Sequence, residues 1–483
     1  MKRILIVGGG TAGKTTALIL KTRFPQTTVD IVESTKIGIV GVGEGSTEHW
    51  SEFCKFVDIS FYEVIRECDA TFKIGIYFDN WDNETFMHSI LPPYDDESAG
   101  YFYTYAHLIA NNSPKRSLQP EYAWNNKVSL THFNHENDIP VLQFHFNTQK
   151  LNTFLTKKCI ERGINIFDDD IVNVDVGNND RINFVSSDEM KYQYDYYIDS
   201  TGFRRLLLHE HLGVKWKSYA EYLPLNSAIA FPTEEMEEYN MWTKATAHDA
   251  GWSWRIPVRD RTGNGYVFCD NFISKEQAHQ EMEQYYGRPL DIARQFKFDP
   301  GRLETFWKGN CIAIGLSSSF VEPLEATSIG STINQAFALM NFLPSNDSKR
   351  FNEICEAMFD NIVDYIVAHY LVRREDTPFW KEIKYNLKVP DSLQHYLDMW
   401  KHRLPNTSDY RVAWGMFTGI NYIPVLYGLN WFDTTKIKDE MSMVKPLAYK
   451  AQESINSYNR AFKNSPFVGH KQAIDLIVNG TIK

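Results

Sequence analysis

The sequence predicts an α/β protein in which a Rossmann-like nucleotide-binding module is interlocked with a mixed-sheet region and a helical C-terminal subdomain. Three observations support this fold class. Residues 4–16 join a short apolar strand to a helix through glycines, residues 165–202 and 311–340 contain further apolar strand segments, and apolar residues recur at helical spacing beyond 345. Because 483 residues exceed one ordinary hydrophobic core, we expect two or three subdomains.

The module boundaries follow from the same patterns. The predicted divisions are a discontinuous nucleotide module over 1–85, 140–215 and 300–345, a substrate-chamber region over 86–139 and 216–299, and a helical subdomain over 346–483. Residues 51–68 have helical periodicity, whereas residues 82–140 show no clear period, as expected of an insertion that builds a substrate chamber.

The N-terminal segment ILIVGGGTAGKTT carries a dinucleotide-binding pattern. Gly8, Gly10 and Gly13 form a G-x-G-x-x-G sequence between the strand and the helix. The first glycine makes the tight turn, the second lets the backbone approach a pyrophosphate, and the third packs the helix on the strand. Amide groups at the start of the helix can then hold the phosphates.

The same residues also fit G-x-x-x-x-G-K-T, the phosphate loop of ATPases and GTPases, with Lys14 as the phosphate-binding lysine. The next strand favours the dinucleotide, because it ends in Glu33, twenty positions after Gly13, where a carboxylate suits a ribose hydroxyl. A phosphate-loop protein needs a magnesium-binding Asp instead. The best candidate, Asp199 in YYIDSTG, fits better with Gly202 as a second nucleotide contact.

The composition argues against several classes of protein. The net charge of -11 comes from dispersed acids, without a basic surface for nucleic acid or an anionic membrane. The six cysteines contain no C-x-x-C, which argues against a metal site and a disulfide framework. The N-terminal apolar run is too short for a signal peptide, and no run could cross a bilayer. We expect a cytoplasmic protein that binds no metal, nucleic acid or membrane.

Six segments, in order along the chain, carry a resemblance to a known family. They are GGGTAG, GVGEGST, TFKIGI, IDSTGFRRLL, GWSWRIP and FVEPLEATSI. The sequence resembles the flavin-dependent halogenases of the tryptophan halogenase type, and its W-x-W-x-I-P motif is the most specific match. The resemblance implies that the Rossmann-like module binds FAD and belongs to the GR2, aromatic hydroxylase-like group. It is compatible with a substrate-promiscuous or viral member of the family.

The resemblance also implies a reaction and its partners. Reduced FAD, O2 and a halide ion would yield hypohalous acid, which reaches an electron-rich aromatic small molecule of the indole or phenol type. Because the chain has one dinucleotide fingerprint, we expect a separate NAD(P)H-dependent flavin reductase. Gly43 and Glu44, in the GVGEGST segment, are implied as cofactor contacts. A homo-oligomer is left open.

Two residues are implied as catalytic. Lys73 matches the family's lysine, which forms a haloamine or holds hypohalous acid by a hydrogen bond, and Glu325 matches the acid beside it. A desolvated amine can present the halogen, and a carboxylate can stabilise the cationic ring and accept its proton. The alternatives are a lysine that projects to solvent from a half-buried strand and a carboxylate that satisfies amides at a helix start.

The GWSWRIP segment contributes a second group of predicted site residues. Trp252 and Trp254 are two positions apart, so they point the same way if the segment is a strand. With Ile256 and Pro257 they match the partition that, in the family, separates flavin from substrate. The alternative is a pair of core tryptophans.

Thr327 and Ser328 stand where the family binds halide on the amides of a Thr-Gly pair. The helix that begins near Ser328 would direct its positive end to the flavin. Ser in place of Gly is a departure, and it strains the backbone if a positive φ is needed there. Bromide and iodide are therefore candidates beside chloride.

Three residues are predicted to contact the substrate. His88 and Ile90 lie in HSILPPY, predicted to be a loop at the position of the family's His-Pro-Phe, and Trp414 lies in RVAWGMFTGI. An incidental loop histidine is the alternative for His88. No clear match exists to the residues that grip the amino-acid end of free tryptophan, which favours other aromatics.

Three rival functions are compatible with the same segments. One is an FAD-dependent aromatic hydroxylase on the same scaffold. Another is a phosphate-loop NTPase that uses Lys14. The third is a flavoprotein that binds FAD without catalysis.

Overall fold

The computed structural model describes residues 2–38, 44–82, 84–89, 100–130, 143–409 and 414–482. The chain forms two compact units, the first from Met1–Asp69, Phe146–Ala220 and Asp299–Asp360, and the second from Ala70–His145, Glu221–Phe298 and Asn361–Lys483. The first unit overlaps the three ranges predicted for the nucleotide module. The predicted division into three modules stays a prediction.

The strands and helices of the described ranges have the following bounds. The strands are β1 Arg3–Val7, β2 Thr28–Glu33, β3 Glu44–Gly45, β4 Thr71–Lys73, β5 Gly75–Asp79, β6 Phe86–Ser89, β7 Lys127–Ser129, β8 Gln143–Phe146, β9 Asn165–Asp168, β10 Asn173–Val176, β11 Ile182–Ser186, β12 Lys191–Tyr192, β13 Tyr196–Asp199, β14 Trp216–Ser218, β15 Ser227–Glu234, β16 Trp242–His248, β17 Gly251–Val258, β18 Arg261–Phe268, β19 Arg294–Lys297, β20 Gly301–Leu303, β21 Trp307–Lys308, β22 Cys311–Ala313, β23 Ser319–Phe320 and β24 Phe467–Gly469. The helices are α1 Thr11–Arg23, α2 His49–Phe56, α3 Phe61–Glu67, α4 Gly100–Ala110, α5 Glu121–Trp124, α6 Thr148–Glu161, α7 Lys275–Tyr286, α8 Thr327–Phe342, α9 Ser348–Ala368, α10 Pro378–Asn386, α11 Asp391–Trp400, α12 Gly419–Gly428, α13 Thr434–Met443, α14 Lys445–Asn464 and α15 His470–Val478.

The first unit is organised on a sheet of order β21-β22-β13-β1-β2-β9. Strand β1 runs parallel to β2 and β13, and β9 and β22 continue the parallel arrangement on either side. The apolar residues of β1 are buried, as expected of a parallel strand covered on both faces. Helix α1 contacts β2, α6 and α8. The predicted return of the later strands to the N-terminal sheet is confirmed.

The second unit contains a mixed sheet of order β19-β15-β18-β17-β16-β5-β6. Strands β16 and β5 are parallel. The pairs β15–β18, β18–β17 and β17–β16 are antiparallel. This sheet agrees with the predicted mixed-sheet region. The helices from α9 onward agree with the predicted helical C-terminal region.

Two stretches of the chain, residues 51–68 and 82–140, contain more local structure than their periodicity predicts. The helical periodicity of residues 51–68 is confirmed. It is divided between two helices, because Asp58 has a left-handed φ of 53 and the Ser60 hydroxyl accepts from the Tyr62 amide to begin α3. The described part of residues 82–140 includes β6, α4, α5 and β7, and its role as an insertion that builds a substrate chamber stays a prediction. Helix α4 has buried apolar residues on successive positions, so its sequence shows no amphipathic period.

No helix within the described ranges is both long enough and apolar enough to span a bilayer.

Candidate active site

In the first unit, the turn between β1 and α1 has the shape that the predicted glycine roles require. Gly8 has a φ of +109, and a Cβ there would stand 2.1 Å from the Ser200 carbonyl oxygen. A Cβ on Gly13 would stand 2.1 Å from the Gly8 carbonyl oxygen, so the helix packs directly on the turn. Apart from chain neighbours, no described atom lies within 4 Å of a Cβ built on Gly10. The approach to the Gly10 backbone is therefore open, as the predicted pyrophosphate contact requires, and binding there stays a prediction.

Lys14 points into the first unit, with 1% of its side chain exposed. Its Nζ donates to Glu33 Oε2 and to Asn152 Oδ1, both at 2.9 Å. Asn152 in turn donates from Nδ2 to the Gly9 carbonyl at 3.0 Å. The ammonium is thus engaged with side chains of the protein, an arrangement that offers no support for the phosphate-loop alternative.

Asp199, at the end of β13, is fully buried and organises the turn that follows it. One carboxylate oxygen accepts from the Thr201 amide and hydroxyl, at 3.1 and 2.7 Å. The other accepts from the amides of Leu207 and Leu208 at 2.7 and 3.0 Å. Gly202 follows with a φ of +67. These bonds make Asp199 a residue that shapes the backbone of the turn, and its predicted contact with a nucleotide stays a prediction.

The segment that contains Glu325 has an unusual backbone. Glu325 and Ala326 both adopt left-handed conformations, with φ of 65 and 53, and α8 begins directly afterwards at Thr327. Such a conformation costs a non-glycine residue about 1 kcal/mol or more. Glu325 is fully buried. Two successive strained residues at a buried carboxylate are typical of a functional segment.

The condition under which Ser328 would strain the backbone, a positive φ, is not met. Ser328 lies within α8, and its carbonyl accepts from the Thr332 hydroxyl at 2.8 Å, as an ordinary helical residue does. The left-handed positions are the two residues before the helix. Halide binding at Thr327 and Ser328 stays a prediction. Gly43 lies outside the described residues, and Glu44 forms β3 with Gly45.

In the second unit, Lys73 is the last residue of β4 and has no exposed surface. Strand β4 pairs antiparallel with β8, which places Lys73 opposite Gln143. A lysine projecting to solvent, the alternative considered from the sequence, is therefore not what the structure shows. Burial of an amine on a strand is unusual unless other groups compensate for its lost hydration.

A chain of hydrogen bonds attaches β4 to three other strands of this unit, β8, β16 and β17. The Thr71 hydroxyl donates to the Pro257 carbonyl at 2.7 Å, so its oxygen accepts from His145 Nδ1 at 3.3 Å. His145 Nε2 then accepts from the Thr243 hydroxyl at 2.9 Å. Burial, with the positive charge of Lys73 as a second cause, lowers the pKa of His145 well below its usual range. His145 is therefore neutral, as this pattern requires.

A second buried histidine holds the strand at the residue before Lys73. His470, the first residue of α15, accepts at Nε2 from the Phe72 amide at 2.9 Å, and its ring stacks on Phe72. Its Nδ1 donates to the Tyr239 carbonyl at 3.2 Å. Burial lowers the pKa of His470 to about 3. Sequence reasoning missed both histidines. No local pattern could reveal His470, which is 398 positions from Phe72.

Trp252 and Trp254 lie on one face of β17, as their spacing predicts. Their ring centroids are 6.3 Å apart, and both side chains are buried. Trp254 lies across Gly265 of the adjacent strand, where a Cβ would stand 2.1 Å from the indole ring. Trp252 also contacts Trp81, at 6.1 Å between centroids. Ile256 and Pro257 continue the same strand. The role of the pair as a partition stays a prediction.

The predicted substrate contacts are only partly within the described residues. His88 is in strand β6 and is buried, so the predicted loop is wrong at this position. A ring nitrogen of His88 lies 3.0 Å from the Tyr365 hydroxyl, which donates to the Asn421 carbonyl. Trp414 is half-buried with a φ of 78. Ile90 lies outside the described residues.

The α/β fold with its Rossmann-like glycine turn, mixed sheet and helical C-terminal region is the fold of flavin-dependent halogenases, which are oxidoreductases. The tryptophan halogenase family model matches residues 3–442. The chain belongs to this family. The family and the fold class predicted from the sequence are therefore confirmed.

Individual relatives agree with this assignment. The tryptophan 6-halogenase SttH from Streptomyces toxytricini is 32% identical over 465 residues, covering 88% of this chain and 89% of that protein. The crystal structure of the tryptophan halogenase from Shewanella frigidimarina has a TM-score of 0.89 at 25% identity, with 99% of this chain and 98% of that chain covered. BrvH, a flavin-dependent halogenase from Brevundimonas sp. BAL3, has a TM-score of 0.85 at 28% identity, with 99% of each chain covered.

Proposed function

We propose that this protein uses reduced FAD, O2 and a halide ion to make hypohalous acid, and that Lys73 delivers the halogen to an electron-rich aromatic small molecule such as an indole or a phenol. The observation that carries the proposal is the complete burial of Lys73, within the TFKIGI segment of a tryptophan halogenase family member. An amine exposed to solvent would lose its bound hypohalous acid to the surrounding water before the halogen reached the substrate.

The residues of the first unit fit FAD as the cofactor. The predicted contacts are Gly8, Gly10, Gly13, Glu33, Gly43, Glu44, Asp199 and Gly202. The open approach to Gly10 and the amides at the start of α1 suit a pyrophosphate. Reduced FAD, when bound here, would give two electrons to O2 and the halide ion would give the other two, which would yield hypohalous acid and water. We assign halide binding to the backbone at Thr327 and Ser328.

Lys73 and Glu325 carry the transfer step. The Lys73 amine either holds hypohalous acid through an N–H donor or forms a haloamine with loss of water. The aromatic ring then attacks the halogen, and the bond from halogen to oxygen or nitrogen breaks with its electron pair on that atom, which takes up a proton and leaves as water or as the free Lys73 amine. The Glu325 carboxylate stabilises the cationic ring and accepts the proton of the substituted carbon, which restores aromaticity. Trp252 and Trp254 keep the flavin chemistry apart from the substrate.

The substrate proposed here differs from the one in the names of the relatives. SttH is named for tryptophan. This sequence has no clear match to the residues that grip the amino-acid end of tryptophan, so we propose another indole or a phenol. His88, Ile90 and Trp414 are the proposed substrate contacts. A separate NAD(P)H-dependent reductase supplies reduced FAD, and tight NADH binding by this chain would contradict that part of the proposal.

The test is a halogenation assay with each halide. The protein is incubated with FAD, a flavin reductase, NADH, O2 and chloride, bromide or iodide, together with a panel of indoles and phenols, and the products are identified by mass spectrometry. We expect a monohalogenated product that requires halide. Oxygenated products formed without halide would identify an aromatic hydroxylase instead. A flavin-bound protein that gives no product with any halide would contradict catalysis.

A further inference from the structure

Lys14 has no role in the chemistry proposed above. The residue belongs to the phosphate-loop pattern of the N-terminal segment, yet only 1% of its side chain is exposed. Burying an ammonium is costly unless a counter-charge and hydrogen bonds compensate for the lost hydration. The structure supplies both, and it does so at the carboxylate predicted to bind the ribose of the cofactor.

The contacts of Lys14 converge on Glu33. The 2.9 Å bond from Lys14 Nζ ends on Oε2 of the carboxylate, while the Glu33 side chain keeps 22% of its surface exposed. A second bond joins Nζ to Asn152 Oδ1, and the Asn152 amide donates to the Gly9 carbonyl. The network therefore joins α1, α6, the end of β2 and the glycine turn.

The backbone next to Glu33 is shaped to receive this carboxylate. A Cβ built on Gly9 would stand 1.7 Å from Glu33 Oε2. The side chain of Glu33 therefore occupies the space that any other residue at position 9 would fill. Glu33 is held from one side by Lys14 and lies against the bare backbone of the turn on the other.

We propose that Lys14 is a positioning residue for cofactor binding, which holds Glu33 Oε2 with the help of Asn152 so that Oε1 is presented to the ribose hydroxyls of FAD. The inference rests on the proposed use of FAD. It gives the lysine a different role from that of a phosphate-loop lysine, because it acts on the ribose-binding acid and not on a phosphate.

The physical advantage is preorganisation. A free glutamate loses rotamer entropy when it binds a ligand, and a carboxylate already fixed by a charge-assisted bond has lost that entropy on folding. Charge-assisted bonds are also stronger than neutral ones, so the fixed rotamer is well populated. Removing the ammonium should therefore weaken FAD binding without removing any direct contact with FAD.

The test measures the dissociation constant of FAD with the full-length protein, by titration of flavin fluorescence. Lys14→Met keeps an unbranched side chain one atom shorter than that of lysine and removes the charge. We expect FAD affinity to fall about tenfold, the loss typical of one charge-assisted hydrogen bond. Lys21→Met is the matched control, because Lys21 is on the same helix and its Nζ donates to the Thr27 carbonyl at 3.2 Å. Its FAD affinity should equal that of the wild type.

A double-mutant cycle separates positioning from general damage. If Lys14 acts through Glu33, adding Lys14→Met to Glu33→Gln should cause no further loss of FAD affinity. The inference would be overturned if the fold-losses of FAD affinity in the two single variants multiplied in the double variant. Wild-type FAD affinity in Lys14→Met would also overturn it. The melting temperature of each apo variant reports structural damage separately.

A second variant keeps the inference testable if Lys14→Met does not fold. Asn152→Ala removes the amide that holds Lys14 and should weaken FAD binding about threefold, again with no further effect in the Glu33→Gln background. Unchanged affinity in Asn152→Ala would then overturn the inference. Absence of FAD binding by the wild-type protein would instead contradict the proposed function itself, so the two failures are distinguishable.

Discussion

Two buried lysines, Lys14 in the first unit and Lys73 in the second, are held in different ways. Lys14 is paired with a carboxylate that is close in sequence, 19 positions away. Lys73 lies on a short strand attached through Thr71 and Phe72 to His145 and His470, two histidines that burial keeps neutral. The comparison teaches that burial alone does not identify a catalytic lysine. The groups around each lysine distinguish the two roles. The Lys14 ammonium is paired with an acid that it positions, whereas the Lys73 amine, which is proposed to react, lies on a strand held by neutral histidines.

The largest effect is expected at Lys73. Lys73→Ala should lower the rate of product halogenation on the order of 10³-fold, because the amine that presents the halogen is removed. FAD affinity should not change. The measurements are product formation by mass spectrometry and an FAD titration. Lys73→Met is a second variant, which removes the amine but fills most of the volume of the lysine side chain.

Lys244→Met is the matched control for Lys73. Lys244 is on β16 of the same unit, and its Nζ lies 2.7 Å from the Asp79 carboxylate, so its loss should leave halogenation near the wild-type rate. Near wild-type halogenation by Lys73→Ala would contradict the proposed delivery step. It would also mean that Lys73 does not react, so that it would no longer differ from Lys14 in this respect.

Glu325→Gln tests the other half of the transfer step. Glutamine has nearly the same shape but cannot accept the ring proton, so the turnover number should fall on the order of 10²-fold. KM for the aromatic substrate should change little. The substitution keeps a long polar side chain at a left-handed position, and circular dichroism would check that the fold is retained. An unchanged turnover number would show that another group accepts the proton.

A smaller effect is expected at the glycine turn. Gly10 has φ -70 and ψ -177, which valine can adopt, and the space at its Cβ is open. Gly10→Val should therefore fold normally but weaken FAD binding on the order of thirtyfold, or ~2 kcal/mol. Gly13→Val is the contrasting variant, because its Cβ would meet the Gly8 carbonyl and destabilise the apoprotein. Wild-type FAD affinity in Gly10→Val would place the cofactor elsewhere.

The effect that is smallest per pH unit concerns the neutral histidines around Lys73. The pKa of His470 is about 3 in the folded protein against an ordinary 6.5, so below pH 6.5 the unfolded chain binds a proton that the folded chain does not. The free energy of unfolding should fall as pH decreases from 6.5 towards 3, by up to ~1.4 kcal/mol per pH unit from this residue. Urea unfolding at several pH values should show a shallower dependence for His470→Gln. Identical slopes would mean that His470 is not held neutral.

The glycine turn was predictable because its determinants are local. Gly8, Gly13 and Glu33 are spaced as the strand–turn–helix–strand unit requires, and the structure has that unit. The spacing of Trp252 and Trp254 likewise predicted their shared face. His145 and His470 could not be predicted, since their partners come from strands brought together only by folding. Helix α4 was missed because buried helices lack the amphipathic period on which the prediction depended.

By itself, the sequence determined the family, the α/β class and the backbone of the nucleotide turn, because motifs and glycine conformations are properties of short segments. Only the tertiary structure decided that Lys14 faces Glu33 and that Lys73 is buried beside neutral histidines. The physical reason is that the direction, solvation and protonation of a long charged side chain depend on groups far away in the chain, which fold against it from all sides.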